Sequence, residues 1–129
     1  MRVIAIRNSF RSCPGFLENV GFSNESQVEL SIDKEYRVWA ISRWRGVLFF
    51  QVINDLDSPV WLPAWLFRVI ENTIPSGWRF NVFGNDLEMV LGPEFVAADE
   101  QAYKRMVELY PAAVEAFWRN VKNRSGRSE

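Results

Sequence analysis

The segment VWLPAWLFR, residues 60–68, decides how the strands of this chain are arranged. As a single strand it would carry large apolar side chains on both faces, which suits a strand buried on both sides or one that bends. Pro63 favours the bend, because proline has no N–H to donate to a strand ladder. We therefore predict a short break near Pro63-Ala64, with strand structure continuing to Ile70. Trp61 and Trp65 are expected to be mainly core residues.

Outward from this segment, short apolar runs alternate with turn residues at the spacing of hairpins. Arg45-Gly46 predicts a tight hairpin turn, and residues 54–59 and 72–77 predict longer turns. The predicted strands are residues 2–7, 28–32, 36–42, 47–53, 66–70, 78–83 and 87–92. This pattern indicates a strongly bent antiparallel sheet, of which an SH3-like barrel would be the closed form.

The chain after Pro93 has a helical pattern. Asp99 or a neighbour is expected to cap a helix with apolar positions from Tyr103 to Tyr110, and Pro111 suits the first turn of a second helix. We therefore predict an α+β fold in a single domain, residues 1–123, with strands over about 1–92 and two helices over about 93–123. Residues 124–129 are predicted to be a disordered tail.

Residues 8–26 are rich in Ser, Asn, Gly and Pro, so they predict a long loop before the second strand. Four apolar side chains in this segment are expected to hold the loop on the body of the protein. These are Phe10, Phe16, Leu17 and Phe22.

Composition narrows the chemistry that the chain can perform. The 129 residues include no histidine and one cysteine, Cys13, so catalysis by an imidazole, an ordinary zinc site and an internal disulfide are not expected. No phosphate-binding glycine motif occurs, and we expect no cofactor. The net charge of −1 argues against a nucleic-acid partner. Without a signal-peptide pattern or a long apolar run, the sequence predicts a cytoplasmic protein that does not contact a membrane.

Acidic residues are concentrated in the middle of the chain. Residues 54–100 contain eight Asp or Glu and two Arg, whereas basic residues are in excess on both sides. One interpretation is an anionic surface that attracts a basic partner. The other is a set of ordinary solvated turns together with acids that favour a helix N-terminus. Under the first interpretation the candidate partner-binding residues are Asp55, Asp57, Glu71, Asp86 and Glu88.

Trp44 differs from the other five tryptophans because it lies beside the predicted Arg45-Gly46 turn, between two arginines. A core position is harder to arrange there, and tryptophan is common at the energetic centres of protein interfaces. Trp44 is therefore a candidate aromatic anchor for a partner.

Residues 33–118 resemble a group of small bacterial immunity proteins from contact-dependent growth inhibition and related polymorphic toxin systems. The resemblance is most specific at PVWLPAWLF (59–67), IPSGW (74–78) and LGPEF (91–95). It implies a cytoplasmic, non-catalytic inhibitor, a monomer that binds a cognate toxin domain one-to-one and blocks its active site. Such toxins are often nucleases with basic grooves, to which an acidic surface would be complementary.

Two other functions fit the residues. An SH3-like module would bind an extended proline-rich peptide in a groove lined by exposed aromatic side chains. An enzyme that uses carboxylates alone would need two facing acids in a deep cleft, with a perturbed pKa.

Overall fold

The computed structural model describes residues 1–125, which form two antiparallel sheets followed by three helices. The strands are β1 (Arg2–Ala5), β2 (Glu35–Arg37), β3 (Ala40–Trp44), β4 (Val47–Ile53), β5 (Pro59–Pro63), β6 (Phe67–Glu71), β7 (Arg79–Val82) and β8 (Leu87–Gly92). The helices are α1 (Glu94–Ala97), α2 (Glu100–Val107) and α3 (Pro111–Ser125), and 3-10 helices span Gly15–Val20 and Ala64–Leu66. The α+β class is confirmed.

The prediction of one bent or closed sheet is wrong, because the strands divide between two sheets that do not close into a barrel. One sheet has three strands in the order β2-β1-β6, and the other has five in the order β5-β4-β3-β8-β7. The chain changes sheet at three places, between β2 and β3, between β5 and β6, and between β6 and β7. At Val38-Trp39 the backbone N–H groups donate to the carbonyls of Met1, which precedes β1 of one sheet, and of Gln51 in β4 of the other. At Ala64–Leu66 a 3-10 helix separates β5 from β6.

The break predicted at Pro63-Ala64 is therefore confirmed, and it has a larger effect than a bend. Pro63 ends β5, and the chain after the 3-10 helix leaves the five-stranded sheet to pair with β1. The predicted strand 36–42 is correspondingly divided into β2 and β3 by the first change of sheet.

The strand predicted at residues 28–32 does not form, because its backbone groups hydrogen-bond to a turn and to a side chain rather than to a neighbouring strand. The carbonyl of Glu29 accepts from the N–H of Asp55, and the N–H of Ser31 donates to the hydroxyl of Tyr36 at 2.8 Å. Leu30 is nevertheless buried and anchors the segment to the core.

Turn and cap predictions are largely confirmed. Arg45 and Gly46 both have positive φ, 48° and 77°, and join β3 to β4 as a two-residue turn. The Asp99 carboxylate accepts from the N–H of Ala102 at 2.7 Å at the start of α2, and Pro111 begins α3. The one-turn helix α1 was not predicted. Helix α3 continues through Ser125, and residues 126–129, where most of the predicted tail lies, are outside the described residues.

Two apolar clusters fill the two faces of the five-stranded sheet. The sheet-side face carries Phe50, Val52 and Leu62 and packs on the three-stranded sheet, where the Phe50 and Phe67 rings lie 6.1 Å apart. The opposite, helix-side face packs against the three helices, which contribute, among others, Tyr103, Met106 and Phe117. None of the helices within residues 1–125 is both long and apolar enough to cross a membrane.

The loop at residues 8–26 reaches the helix-side face through Phe22, which lies against Phe49. Phe10 and Leu17 are fully buried, and Phe22 stacks on Phe10 with ring centroids 4.5 Å apart. Phe16 was expected to help hold this loop, but that expectation is wrong, since its side chain is 51% exposed. The loop and the helices thus share one face of the sheet, and a groove lies between them.

Candidate functional site

The groove on the helix-side face is an apolar cavity of about 350 Å³. Its floor is formed by Trp44, Phe49 and Trp61 from β3, β4 and β5. These three side chains share a face because Trp44 pairs with Val47, Phe49 lies two residues further along β4, and Trp61 pairs with Gln51. The strand register therefore places three aromatic side chains side by side on the sheet.

The walls of the groove come from elements distant in sequence. Phe22 from the N-terminal loop lies 6.3 Å from Phe49, ring centroid to ring centroid. On the other side the Tyr103 ring of α2 lies 5.0 Å from Trp61, and its hydroxyl is 3.1 Å from the buried hydroxyl of Ser42. Burial raises the pKa of Tyr103, so this hydroxyl stays neutral over the physiological range.

Two charged residues stand at the mouth of the groove. Lys104 of α2 and Glu108, the residue that caps the C-terminus of α2, are four positions apart, and both are exposed. Among the residues that the structure describes, neither side chain takes part in an ion pair or a side-chain hydrogen bond.

Beside the groove, two hairpin ends meet in a group of charged side chains around Trp44. Arg45 Nε donates to Asp86 at 3.1 Å, and Arg43 Nε donates to Glu88 at 3.3 Å. We call this surface, composed of Arg43, Trp44, Arg45, Asp86 and Glu88, the Trp44 end.

The Trp44 end is held in place by contacts to both hairpins. The Arg45 guanidinium lies 4.6 Å from the centroid of the Trp44 ring, in cation–π geometry. The Glu88 carboxylate also accepts from the N–H of Gly46 at 2.7 Å, which ties the β3–β4 turn to β8. Trp44 itself is half-buried, with one side in the groove and its neighbours on the surface.

The candidate Asp55 lies at the other end of β4, where its carboxylate connects three side chains. It accepts from Lys34 Nζ at 2.8 Å, from the Ser31 hydroxyl at 2.6 Å and from the Tyr36 hydroxyl at 2.7 Å. These hydrogen bonds, first that of Lys34, lower the pKa of Asp55 to about 2. They attach the β4–β5 turn to β2 and to the segment before it.

Asp57 lies in the same turn with a φ of 56° and is exposed. Next to it, Leu56 is 67% exposed, and the Asn54 side chain accepts from the N–H groups of Leu56 and Ser58, each at 3.0 Å. The turn is therefore an ordered tip that presents an apolar side chain between two acids.

Glu71 is separated from all the other candidates because it ends β6 in the three-stranded sheet. Its carboxylate accepts from the N–H of Thr73 at 2.7 Å and lies 3.3 Å from the amine of Met1. Hydrogen bonds from Thr73, followed by those from the amine, lower its pKa to about 2.

The structure thus brings together Trp44, Asp86 and Glu88 and separates them from the rest. Asp55 and Asp57 lie at the far end of the seven-residue β4, which is about 20 Å long. Four of the five candidate acids bind basic groups from the first part of the chain, so the acidic middle segment does not form one anionic surface.

Sequence reasoning missed the groove as a site. It treated Trp61 and Tyr103 as core residues and did not consider Phe49, Lys104 or Glu108. The alternation of side chains along β4 and β5 does place Phe49 and Trp61 on the same face of one hairpin. No local sequence pattern, however, shows that the N-terminal loop and α2 leave this face partly uncovered.

Within residues 1–125 no three Asp, Glu or Cys side chains come together in a way that could hold a metal ion. Comparison of the chain with protein-family models, with curated proteins and with solved structures gave no match.

Proposed function

We propose that this chain is an immunity protein that binds a cognate toxin domain one-to-one in the cytoplasm and blocks its active site. The resemblance of residues 33–118 to such proteins motivates the proposal, and the Trp44 end is the observation that carries it. No chemistry by the chain itself is required, since a non-catalytic inhibitor acts by occupying its target.

The Trp44 end has the composition of an interface centre. Tryptophan and arginine are enriched among residues that dominate binding energy, and here Trp44 and Arg45 stack on each other. Their neighbours are fixed by two ion pairs and a backbone hydrogen bond, so few rotamers have to be ordered on binding. Such a preorganised surface supports tight one-to-one association.

The Trp44 end carries charges of both signs rather than only negative ones. Arg43 and Arg45 balance Asp86 and Glu88, so a basic toxin groove would have to displace these arginines to reach the carboxylates. We therefore expect the partner to present both an acidic and a basic group to the Trp44 end.

A peptide-binding module remains a second candidate, because the groove is lined by aromatic side chains as that function requires. Its volume of about 350 Å³ suits one residue-sized group better than an extended proline-rich segment. We therefore place the toxin contact at the Trp44 end. Peptide binding is the alternative that the experiment below can detect.

The test measures binding to the C-terminal domain encoded by the reading frame directly upstream, by calorimetry and by rescue of growth on co-expression. We expect a nanomolar one-to-one complex. Asp86→Lys should weaken it at least tenfold, whereas Asp57→Lys, an exposed turn aspartate at the far end of β4, should leave it within about twofold.

Two outcomes contradict the proposal. If wild-type protein neither binds that domain nor restores growth, the immunity function is rejected, and micromolar binding to proline-rich peptides would establish the alternative. If Asp57→Lys weakens the complex and Asp86→Lys does not, the contact lies at the Asp55–Leu56–Asp57 tip and the assignment to the Trp44 end is wrong.

A further inference from the structure

The groove is shaped to enclose one aromatic ring. Trp44, Phe49 and Trp61 lie beneath it, and Phe22 and Tyr103 stand on either side. Aromatic rings stack and meet edge-to-face with favourable energy, so a flat ring gains more here than an aliphatic chain. A volume of about 350 Å³ is at the small end of ligand pockets, which suits a single ring-bearing molecule.

The mouth of the groove provides one positive and one negative charge. Lys104 of α2 and Glu108 at its C-terminal cap both line it, four positions apart, and neither forms an ion pair within the described residues. A ligand with a net charge would be attracted by one of these groups and repelled by the other. A zwitterion, with its carboxylate near Lys104 and its ammonium near Glu108, is complementary to both.

We propose that the groove is a binding site for a free aromatic amino acid. The ring occupies the cavity above Trp44, Phe49 and Trp61, between Phe22 and Tyr103, and the α-carboxylate and α-ammonium groups face Lys104 and Glu108. This site shares Trp44 with the proposed toxin-binding surface, but its evidence is the cavity and its mouth, so it stands even if no toxin binds at the Trp44 end.

Three indole compounds of similar size separate the contributions of the two charges. L-tryptophan carries both groups, tryptamine lacks the carboxylate, and indole-3-propionate lacks the ammonium. On wild-type protein we expect L-tryptophan to bind with a dissociation constant of about 0.1–1 mM and each analogue to bind about two- to fivefold more weakly.

The experiment is an NMR titration of the ¹⁵N-labelled full chain with these three compounds. The expected shifts are confined to the amides of residues 104–108 and the indole N–H groups of Trp44 and Trp61. Lys104→Met should weaken L-tryptophan about two- to fivefold and strengthen tryptamine, whose ammonium the lysine repels, whereas Glu108→Gln should weaken L-tryptophan and strengthen indole-3-propionate, whose carboxylate the glutamate repels.

A matched pair of bulky substitutions tests the location. Val107 lines the groove and is 47% exposed, so Val107→Trp should fill the mouth and abolish binding without unfolding the protein. Val69 is 41% exposed on β6, and Val69→Trp should bind L-tryptophan as wild type does.

The proposal is overturned if L-tryptophan causes no saturable shifts up to about 5 mM, roughly five times the upper end of the expected range of dissociation constants. It is also overturned if Val107→Trp binds normally, or if all three compounds bind wild type equally, since the groove would then be an unselective apolar cavity. Protection of the groove by a protein partner alone, without binding of the free amino acid, would assign it to a protein side chain instead.

Discussion

Polar side chains in this protein differ widely in how completely they are hydrogen-bonded. Asp55 has three donors, whereas Gln51, at the centre of β4, is 1% exposed and neither of its amide atoms has a hydrogen-bond partner within the described residues. The indole N–H of Trp61, which lies opposite Gln51 in the sheet, is also buried and has no hydrogen-bond partner within the described residues. Buried polar groups are costly unless bonded, so these two side chains stabilise the fold less than apolar ones would.

Replacing Gln51 by methionine is therefore expected to stabilise the protein. The side chain keeps its length and loses two unbonded polar atoms, so the free energy of unfolding should rise by about 1 kcal/mol. Urea denaturation followed by tryptophan fluorescence measures the change. Leu48→Met, at a position of β4 that is 40% exposed, is the control and should alter stability by less than about 0.5 kcal/mol. A marked loss of stability in Gln51→Met would mean that the amide is bonded in solution.

Asp55 makes stability depend on pH in the acidic range. Its folded-state pKa of about 2 lies below the ordinary value of 3.8, so the carboxylate favours the folded state when it is charged. This contribution is complete above about pH 4 and is lost as the pH falls through 2. Asp55→Asn should therefore lower the Tm at pH 7, and its difference from wild type should shrink between pH 4 and pH 2. A difference that stays constant over this range would show that the carboxylate is not charged in the cluster.

At the scale of elements, the close contact between β8 and β3 depends on a missing side chain. A Cβ atom at Gly92 would lie 2.8 Å from the Cβ of Ala40 and 3.1 Å from a methyl carbon of Val96. The absence of a side chain allows α1 to begin immediately after β8 while staying packed against the sheet.

Gly92→Ala should consequently destabilise the protein by about 1–3 kcal/mol, because Ala40 and Val96 are both fully buried and cannot move away. Gly84→Ala provides the control, since a Cβ there meets no atom within 4 Å and φ is not positive. The comparison is made by urea denaturation. Equal stability of the two variants would mean that β8 can shift away from β3 at little cost.

At the scale of the whole molecule, the five-stranded sheet joins the two halves of the core. Its sheet-side face packs on the three-stranded sheet, and its helix-side face packs on the helices and the N-terminal loop. Phe117 of α3 is fully buried, and its ring lies 6.1 Å from that of Trp39.

Phe117→Ala should lower the free energy of unfolding by about 3–5 kcal/mol, through lost burial and the cavity left behind. Because both core clusters share one sheet, helix content by circular dichroism and tryptophan fluorescence should change in a single coincident transition. Phe80→Ala, at a position 62% exposed, should alter stability by less than about 0.5 kcal/mol. Separate transitions would show that the helices unfold independently of the sheets.

The sequence by itself determined where the chain turns, where one strand breaks and where the helices begin. The positive-φ turn at Arg45-Gly46, the cap at Asp99, the helix start at Pro111 and the break at Pro63 were all predicted within a residue or two. Each depends on the conformational or hydrogen-bonding limits of a few adjacent residues, which are the same in any fold.

Only the tertiary structure decided which sheet each strand joins and where a site is formed. Strand alternation is the same for a closed barrel and for two packed sheets, so the pairing of β6 with β1 depends on contacts more than 60 residues apart. The groove likewise exists because Phe22 and Tyr103, 81 positions apart, cover the sheet from two sides. The pairing of Asp86 with Arg45, rather than with a partner, has the same origin. Net charge per segment is a property of sequence, whereas the neutralisation of each charge depends on which side chains the fold brings within hydrogen-bond distance.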